Sequence, residues 1–412
     1  MSGFRLRCCE CGREYAEDPA LLVCEACATL QRPGGPTRGV LEVELDALPP
    51  EWPKARPSDT DFLAAFLPFS DPSAVPPLDV GGTPLLPAPG LREALDLPRL
   101  WIKDDTRNPS GSTKDRASLL VVTKAREYGF DTVATASTGN AAAALAAVGA
   151  ASGVRAVVFV PAAAPEAKLV QLLCYGADVV RVQGSYDDAF DLCVAACDTF
   201  GWYNRNTALN PFTIEGKKTV ALEIAAAMSP EPPDVVFVPT GDGAILAGVA
   251  KGFEDLVQAG LLARRPRLVA VQPEGSAGIV EAFREGSETV APVPDAASVA
   301  DSLTVQTPRN AILCLKRLRE SDGGAVAVPD EAILEAIPFL ARHTGVFAEP
   351  AGAAALAGLC AALEQDLVLA DERIVLLITG TGLKDVSSAA QTVQRPAPLP
   401  PTLDAVRKRL GL

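Results

Sequence analysis

Two α/β domains, each doubly wound around a mainly parallel sheet and preceded by a zinc-ribbon-like segment, form the fold class this sequence predicts. Three observations point to it. Short β-branched or apolar runs such as "TVATA", "RAVVFVP", "DVVFVPT" and "RIVLLITG" alternate with alanine-rich stretches of helical spacing, the pattern of βαβ units. Seven such runs between residues 99 and 380 exceed one compact sheet and imply two domains with a cleft between them. Near the start, Cys8-x2-Cys11 and Cys24-x2-Cys27 stand twelve residues apart.

Taken in order, residues 1–40 form the ribbon-like segment. Cys8, Cys11, Cys24 and Cys27 supply four thiolates at a spacing that closes a tetrahedron around zinc, and a site with all four positions filled is structural. A ribbon without metal is the alternative, and Cys9 is a competing neighbour in the first knuckle. Residues 41–98 read as a connector, because prolines from Pro33 to Pro57 and again from Pro68 to Pro98 prevent long helices. Residues 99–205 make the smaller α/β domain, opening on "RLWIK", and residues 206–390 the larger one. The tail, 391–412, carries "PAPLPP" and a short charged helix, and reads as peripheral.

The chain has 412 residues, 48% of them hydrophobic, so sizeable cores are available. A formal net charge of -14 and a pI near 4.7 oppose nucleic acid or an anionic membrane as partner. Small molecules are the expected partners. The opening "MSGFRLRCCE" lacks the apolar core of a signal peptide, and the run from Ala141 to Val154 is too short to span a bilayer. Five of the ten cysteines fall in the first 27 residues and the others lie singly, which fits reduced thiols and a cytoplasmic location.

Ligands of open parallel sheets bind beyond the C-terminal ends of the strands, so the small-residue loops there are where chemistry is sought. "NPSGSTK" turns tightly into a helix that starts at Lys114 and ends near Tyr128. A helix N-terminus disfavours a cation and lowers an amine's pKa, which suits a nucleophile better than a structural charge; a solvated surface lysine is the plain alternative. After "TVATA", Ser137, Thr138 and Gly139 offer amides and hydroxyls that cradle a carboxylate or merely cap the helix. After "DVVFV", Gly241 and Gly243 let backbone approach a phosphate, provided that the Asp242 carboxylate turns away. Thr379, at the end of "RIVLLIT", offers a neutral hydroxyl to a heterocycle nitrogen or caps a helix.

Absences narrow the chemistry. His343 is the only histidine, which disfavours a Ser-His-Asp triad or a multi-histidine metal site, and no G-x-x-x-x-G-K-[ST] loop occurs. A lysine nucleophile, a phosphate cradle, a carboxylate cradle and a hydroxyl for a ring nitrogen together describe a pyridoxal phosphate site acting on an amino acid.

"NPSGSTKDR", "STGN", "GDGAILAG", "EPAGAAALAGL" and "TGTGLKD", in that order, resemble the fold-type II pyridoxal phosphate enzymes, and the four-cysteine segment with "GLKD" is most similar to the threonine synthase group. The resemblance implies a tryptophan synthase β-like fold, a homodimer and a role in threonine biosynthesis. It assigns Lys114 to the Schiff base with the cofactor and Asn140 to the ring hydroxyl. The loop Gly241, Asp242, Gly243, Ala244 and Ile245 takes the cofactor phosphate, and Thr379 faces the pyridine nitrogen. Ser137, Thr138 and Gly139 receive the substrate carboxylate, with Asn206 and Thr207 also in the substrate set. The implied reaction is γ-elimination from O-phosphohomoserine followed by addition of water at Cβ.

The likeness is not complete. Thr113 and Ala117 stand where the group usually has phenylalanine and glycine, and Thr213 stands where it commonly has an arginine for the substrate phosphate. Arg205, Lys217, Lys218 and Lys168 are the candidate replacements. Loss of that arginine keeps an ammonia-lyase for hydroxy amino acids open, and the ribbon and phosphate loop also fit a phosphoserine β-replacement enzyme such as cysteate synthase. Glu349 in "EPAGA" either orients the site or caps a helix.

Overall fold

The structure is a computed structural model and describes residues 3–164 and 166–412. Strands β1 (Phe4–Cys8), β2 (Glu14–Tyr15) and β3 (Leu41–Leu45) form an antiparallel sheet in the order β2-β1-β3. β3 lies inside the stretch read as a connector. Its sequence, "LEVEL", alternates apolar and acidic residues, so Leu41 and Val43 face inward beside Leu6 while the flanking prolines stay outside the strand.

Strand β4 (Leu85–Pro87) is an antiparallel edge, with its proline at the end where no ladder donor is needed. It pairs with β5 (Leu100–Asp104), which in turn pairs in parallel with a strand some 270 residues further on. The "RLWIK" strand therefore belongs to the larger sheet, although chain order placed it with the smaller domain. Local pattern marks a strand, but its partner is chosen by packing across the chain.

The smaller sheet contains β6 (Thr132–Ala136), β7 (Arg155–Pro161), β8 (Asp178–Val182) and β9 (Tyr203–Asn204), all parallel, in the order β8-β7-β6-β9. The larger adds β10 (Val235–Pro239), β11 (Arg267–Pro273), β12 (Gly324–Val328) and β13 (Ile374–Ile378), in the order β12-β11-β10-β13-β5-β4. Successive residues of β10 and β13 enter opposite cores. Val235, Phe237, Ile374 and Leu376 pack on one side, and Val236, Val238, Val375 and Leu377 on the other. Helices cover both faces, so these strands read as continuous apolar runs, each fully buried side chain contributing about 1.5–3 kcal/mol before chain entropy is counted.

Strand order fixes where a ligand can sit. In the larger sheet the winding reverses between β10 and β13, and in the smaller one between β6 and β9. The loops after these four strands are those at 241–245, 380–384, 137–139 and 205–207, and they rim the crevices that open where the winding reverses. No helix among the described residues is long and apolar enough to cross a membrane.

Candidate active site

Helix α1 (Lys114–Glu127) begins at the candidate nucleophile. The turn before it is closed by Asp115, whose carboxylate accepts from the Ser110 N–H at 2.7 Å and the Ser110 hydroxyl at 2.5 Å. The turn is also laced to the loop after β13. The Thr113 N–H donates to the Thr379 carbonyl at 2.8 Å, the Thr381 N–H donates to the Gly111 carbonyl at 3.0 Å, and Ser112 bridges Gly380. Lys114 is thereby set beside Thr379. Among the described residues it has no hydrogen-bond or ion-pair partner. Burial holds its amine below the usual lysine range; Asp242 and Glu349 pull it up and Arg205 pushes it further down. The sequence reading credited the helix dipole, but desolvation is the largest cause.

Thr379 is buried and its hydroxyl has no partner among the described residues. The next residue must be glycine, because a Cβ on Gly380 would collide with the Glu349 carboxylate. Glu349 precedes helix α5 (Pro350–Glu364) but makes no side-chain cap. Its Oε1 instead accepts from Asn140 Nδ2 at 2.7 Å, across the cleft. This settles the role that sequence left open, since Glu349 orients Asn140. Burial pushes the carboxyl up to about 7, against Lys384, Asn140 and Lys114. Asn140 opens helix α2 (Asn140–Ser152) and also reaches Ser302 Oγ at 3.4 Å.

Helix α4 (Ala244–Gln258), preceded in the chain by helix α3 (Phe212–Lys217), starts directly from the glycine loop. Gly243 has φ +93°, and a Cβ there would lie 2.7 Å from Cys314 Cβ, so only glycine fits. Asp242 turns its carboxylate back to accept from the Ala244 N–H at 3.0 Å. The N–H groups of Gly241, Gly243 and Ile245 find no acceptor among the described residues. Unfilled donors at the start of a helix match a phosphate. Together with the Thr379 hydroxyl, free among the described residues, and with Lys114, whose pKa burial lowers, they fit pyridoxal phosphate.

On the opposite wall, Ser137, Thr138 and Gly139 lie half-buried at the start of α2, and the Gly139 N–H donates to Ser137 Oγ at 3.2 Å. Asn206 is used differently from its neighbours. Its Oδ1 accepts from the Ala136 N–H at 2.8 Å and from Thr135 Oγ1 at 3.2 Å, bracing the foot of that loop. Thr207 accepts from Arg205 Nη1 at 3.2 Å.

The four candidate replacement cations separate clearly. Lys168 pairs with Asp301 at 2.6 Å near the surface, and Lys218 is engaged by Glu215 and by Asp255 at 2.7 Å. Arg205 and Lys217 are fully buried without a carboxylate within 4.0 Å among the described residues. Lys217 Nζ donates to the Thr213 carbonyl at 3.0 Å, while the Thr213 hydroxyl is spent on the Asn210 carbonyl.

The four knuckle cysteines converge as well. Their Sγ atoms all lie within 4.8 Å of one another, with Cys8 to Cys27 and Cys11 to Cys24 both at 3.7 Å. A zinc tetrahedron with bonds of about 2.3 Å has edges of roughly 3.8 Å. Cys9 does not compete; it packs with Val40 against Ile214, Ala244, Ala247 and Leu313.

Residues 77–380 match the family model described as pyridoxal-phosphate dependent enzyme. The chain belongs to that family. It is 35% identical over 407 residues to a curated threonine synthase of Methanocaldococcus jannaschii, covering 98% of each chain. It is 34% identical over 408 residues to a threonine synthase of Methanosarcina acetivorans, covering 99% of this chain and 98% of the other. Among solved structures, the processed form of threonine deaminase isoform 2 from Solanum lycopersicum superposes with a TM-score of 0.67 at 24% identity, over 84% of this chain and 98% of that one. This last likeness concerns the fold. The family member described here is a pyridoxal phosphate-dependent lyase of the threonine synthase type, acting on an amino-acid substrate.

Sequence reasoning did not find the Asn140–Glu349 bond, nor Ser302 beside it. The one local signal was Gly380, a glycine directly after the strand-end hydroxyl.

Proposed function

We propose that the chain converts O-phosphohomoserine and water to threonine and phosphate, by γ-elimination followed by addition of water at Cβ. The observation that carries this reading is the meeting of a lysine whose pKa burial lowers, a threonine hydroxyl without a partner among the described residues and an open phosphate loop in one cleft, with donors for a carboxylate on the facing wall. Pyridoxal phosphate, when bound, supplies the electron sink for the charge left at Cα. Gly241, Asp242, Gly243, Ala244 and Ile245 would hold its phosphate, Thr379 its ring nitrogen and Asn140 its ring hydroxyl.

Lys114 Nζ would be the base that takes up the Cα proton of the bound substrate. Burial lowers its pKa and so favours the neutral amine that a base requires. Ser137, Thr138 and Gly139 fix the substrate carboxylate and so the face presented to Lys114. Thr379, a neutral hydroxyl, would hydrogen-bond the ring nitrogen without supplying a proton, and this would favour elimination over transamination.

The test is a product assay on the cofactor-loaded protein. Threonine and inorganic phosphate released together from O-phosphohomoserine are expected; keto acid from threonine or serine, with O-phosphohomoserine untouched, would replace this reading by an ammonia-lyase. We also infer a structural zinc on Cys8, Cys11, Cys24 and Cys27, supported by the sulfur spacing, and expect one metal per chain by elemental analysis. A cytoplasmic homodimer completes the proposal, and its mass in solution checks the assembly.

A further inference from the structure

The cleft holds more positive charge than the protein neutralises. Arg205 is 0% exposed; its Nε donates to Ser118 Oγ at 3.2 Å and its Nη1 to Thr207 Oγ1 at 3.2 Å, both neutral hydroxyls. Its Nη2 is buried and has no partner among the described residues. A buried guanidinium satisfied only by hydroxyls is costly unless an anion completes it.

The position of Arg205 says which anion. It follows β9, and its own N–H continues the pairing with β6 by donating to the Ala134 carbonyl at 2.8 Å. It therefore belongs to the smaller sheet, on the same reversal of winding as Ser137, Thr138 and Gly139. Ser118 lies one helical turn after Lys114 on α1, so the guanidinium stands on the same face as the nucleophile. The glycine loop for the cofactor phosphate lies across the cleft on the larger sheet, and Lys217 packs there, where a Cβ on Gly248 of α4 would meet Lys217 Cβ at 2.7 Å.

We propose that Arg205 is the specificity determinant for a phosphorylated amino acid: its free Nη2, with the Nη1 edge beside Thr207, binds the substrate's phosphate, and Lys217 offers a further donor from the cofactor side. This rests on the reading of the substrate as O-phosphohomoserine. The electrostatics agree, because burial lowers Arg205 to about 10, with Asp242, Asp115 and Tyr186 opposing the shift. Asp242 is the acid that opposes that shift most, and its Oδ1 is already turned to the Ala244 N–H.

The experiment compares cofactor-loaded wild type, Arg205→Gln and Arg205→Lys. Cofactor loading is followed by visible absorbance and by cofactor affinity. Inorganic phosphate serves as the probe, its binding measured by calorimetry and its Ki against O-phosphohomoserine by kinetics. In Arg205→Gln, KM for O-phosphohomoserine and the phosphate Kd are both expected to rise on the order of 100-fold, with cofactor affinity unchanged and kcat less affected. Arg205→Lys is expected to fall between, since a point charge replaces a planar fork. Unchanged phosphate binding in Arg205→Gln would overturn the proposal, as would loss of cofactor affinity in place of phosphate affinity, which would make Arg205 a cofactor-phosphate residue. If wild type leaves O-phosphohomoserine untouched, the functional reading fails, and calorimetry with phosphate still decides Arg205 by the same two outcomes.

Discussion

Two groups of buried charge lie within one helical turn of each other along α1, and they are built on opposite rules. Below the cleft, Arg116 pairs with Asp105 at 2.7 Å and Glu223 at 2.5 Å, and Lys103 pairs with Glu223 at 2.6 Å, all four nearly or wholly buried. Two cations meet two carboxylates. In the cleft, half-buried Lys114 and fully buried Arg205 and Lys217 gather with no carboxylate within 4.0 Å among the described residues. The shifts separate the two groups. Burial opposes every charge, yet in the lower group the partners win: Arg116 is raised, Asp105 is held at about 2 and Glu223 is lowered. Lys103 is the exception, because burial outweighs Glu223 there. In the cleft all three cations are lowered, with burial leading each time. A buried charge that finds its partner within the chain is architecture, and one that does not marks where a ligand brings the missing charge.

The largest expected effect breaks this comparison from the cleft side. Lys114→Ala should lower turnover by about 10⁴-fold or more, with the visible cofactor band lost, while the cofactor-free variant unfolds at the wild-type temperature or slightly above it. A large fall in its melting temperature would show that Lys114 is architectural. The matching change below the cleft is Arg116→Met. Removing one member of a balanced buried group leaves Asp105 without a cation and Glu223 with Lys103 alone, for a loss of about 3–5 kcal/mol in unfolding free energy. A variant as stable as wild type would mean that the lower group is dispensable.

The difference between the two groups also marks how far the sequence could be read. The parallel strands were legible because β6, β10 and β13 are buried on both faces and so lack alternation. β12 escaped, since "GAVAV" carries too little side-chain volume to stand out, and β9 is only two residues long. The loops at 137–139, 241–245 and 379 were legible because small residues at strand ends have few structural uses. Whether a given arginine or lysine is paired was not legible. Lys217 and Lys218 are adjacent in "EGKKT", yet one is locked between Glu215 and Asp255 and the other enters the cleft. Successive residues of a helix point about 100° apart, so the acid that decides between them comes from α4, far off in sequence. Glu349 and Asn140, separated by 209 positions, could be joined only by the fold.

Two glutamates give the next test, smaller and opposite in sign. Glu349 has its pKa raised to about 7 from the ordinary value of 4.5. Its contribution to stability is therefore complete below pH 4.5 and lost as pH rises through about 7, on the order of 3 kcal/mol. Glu223 is lowered, so its contribution is present above pH 4.5 and lost only as pH falls further. Melting temperatures of the cofactor-free protein at pH 5.5 and pH 8, for wild type and Glu349→Gln, check the first half. Wild type should lose more between the two pH values than the variant does. Equal losses would remove Glu349 from the titrating groups and leave Asn140 held by a permanently charged carboxylate.

The smallest effect asks whether the cleft's charge excess survives cofactor binding. In the cofactor-loaded enzyme the glycine loop is filled, so any anion that still stabilises the protein must act on the substrate side. Inorganic phosphate at ten times its dissociation constant adds about 1.4 kcal/mol, a shift of one to a few degrees in melting temperature, whereas chloride at equal ionic strength adds almost nothing. The lower group gains from neither salt, since its cations are already paired. If phosphate has no effect on the loaded enzyme but stabilises the cofactor-free one, the cofactor's own phosphate satisfies all three cations, and the cleft holds one anion subsite instead of two. If phosphate stabilises both forms, Arg205 remains unpaired after the cofactor is in place, and the charge that the chain leaves open is the one the substrate must bring.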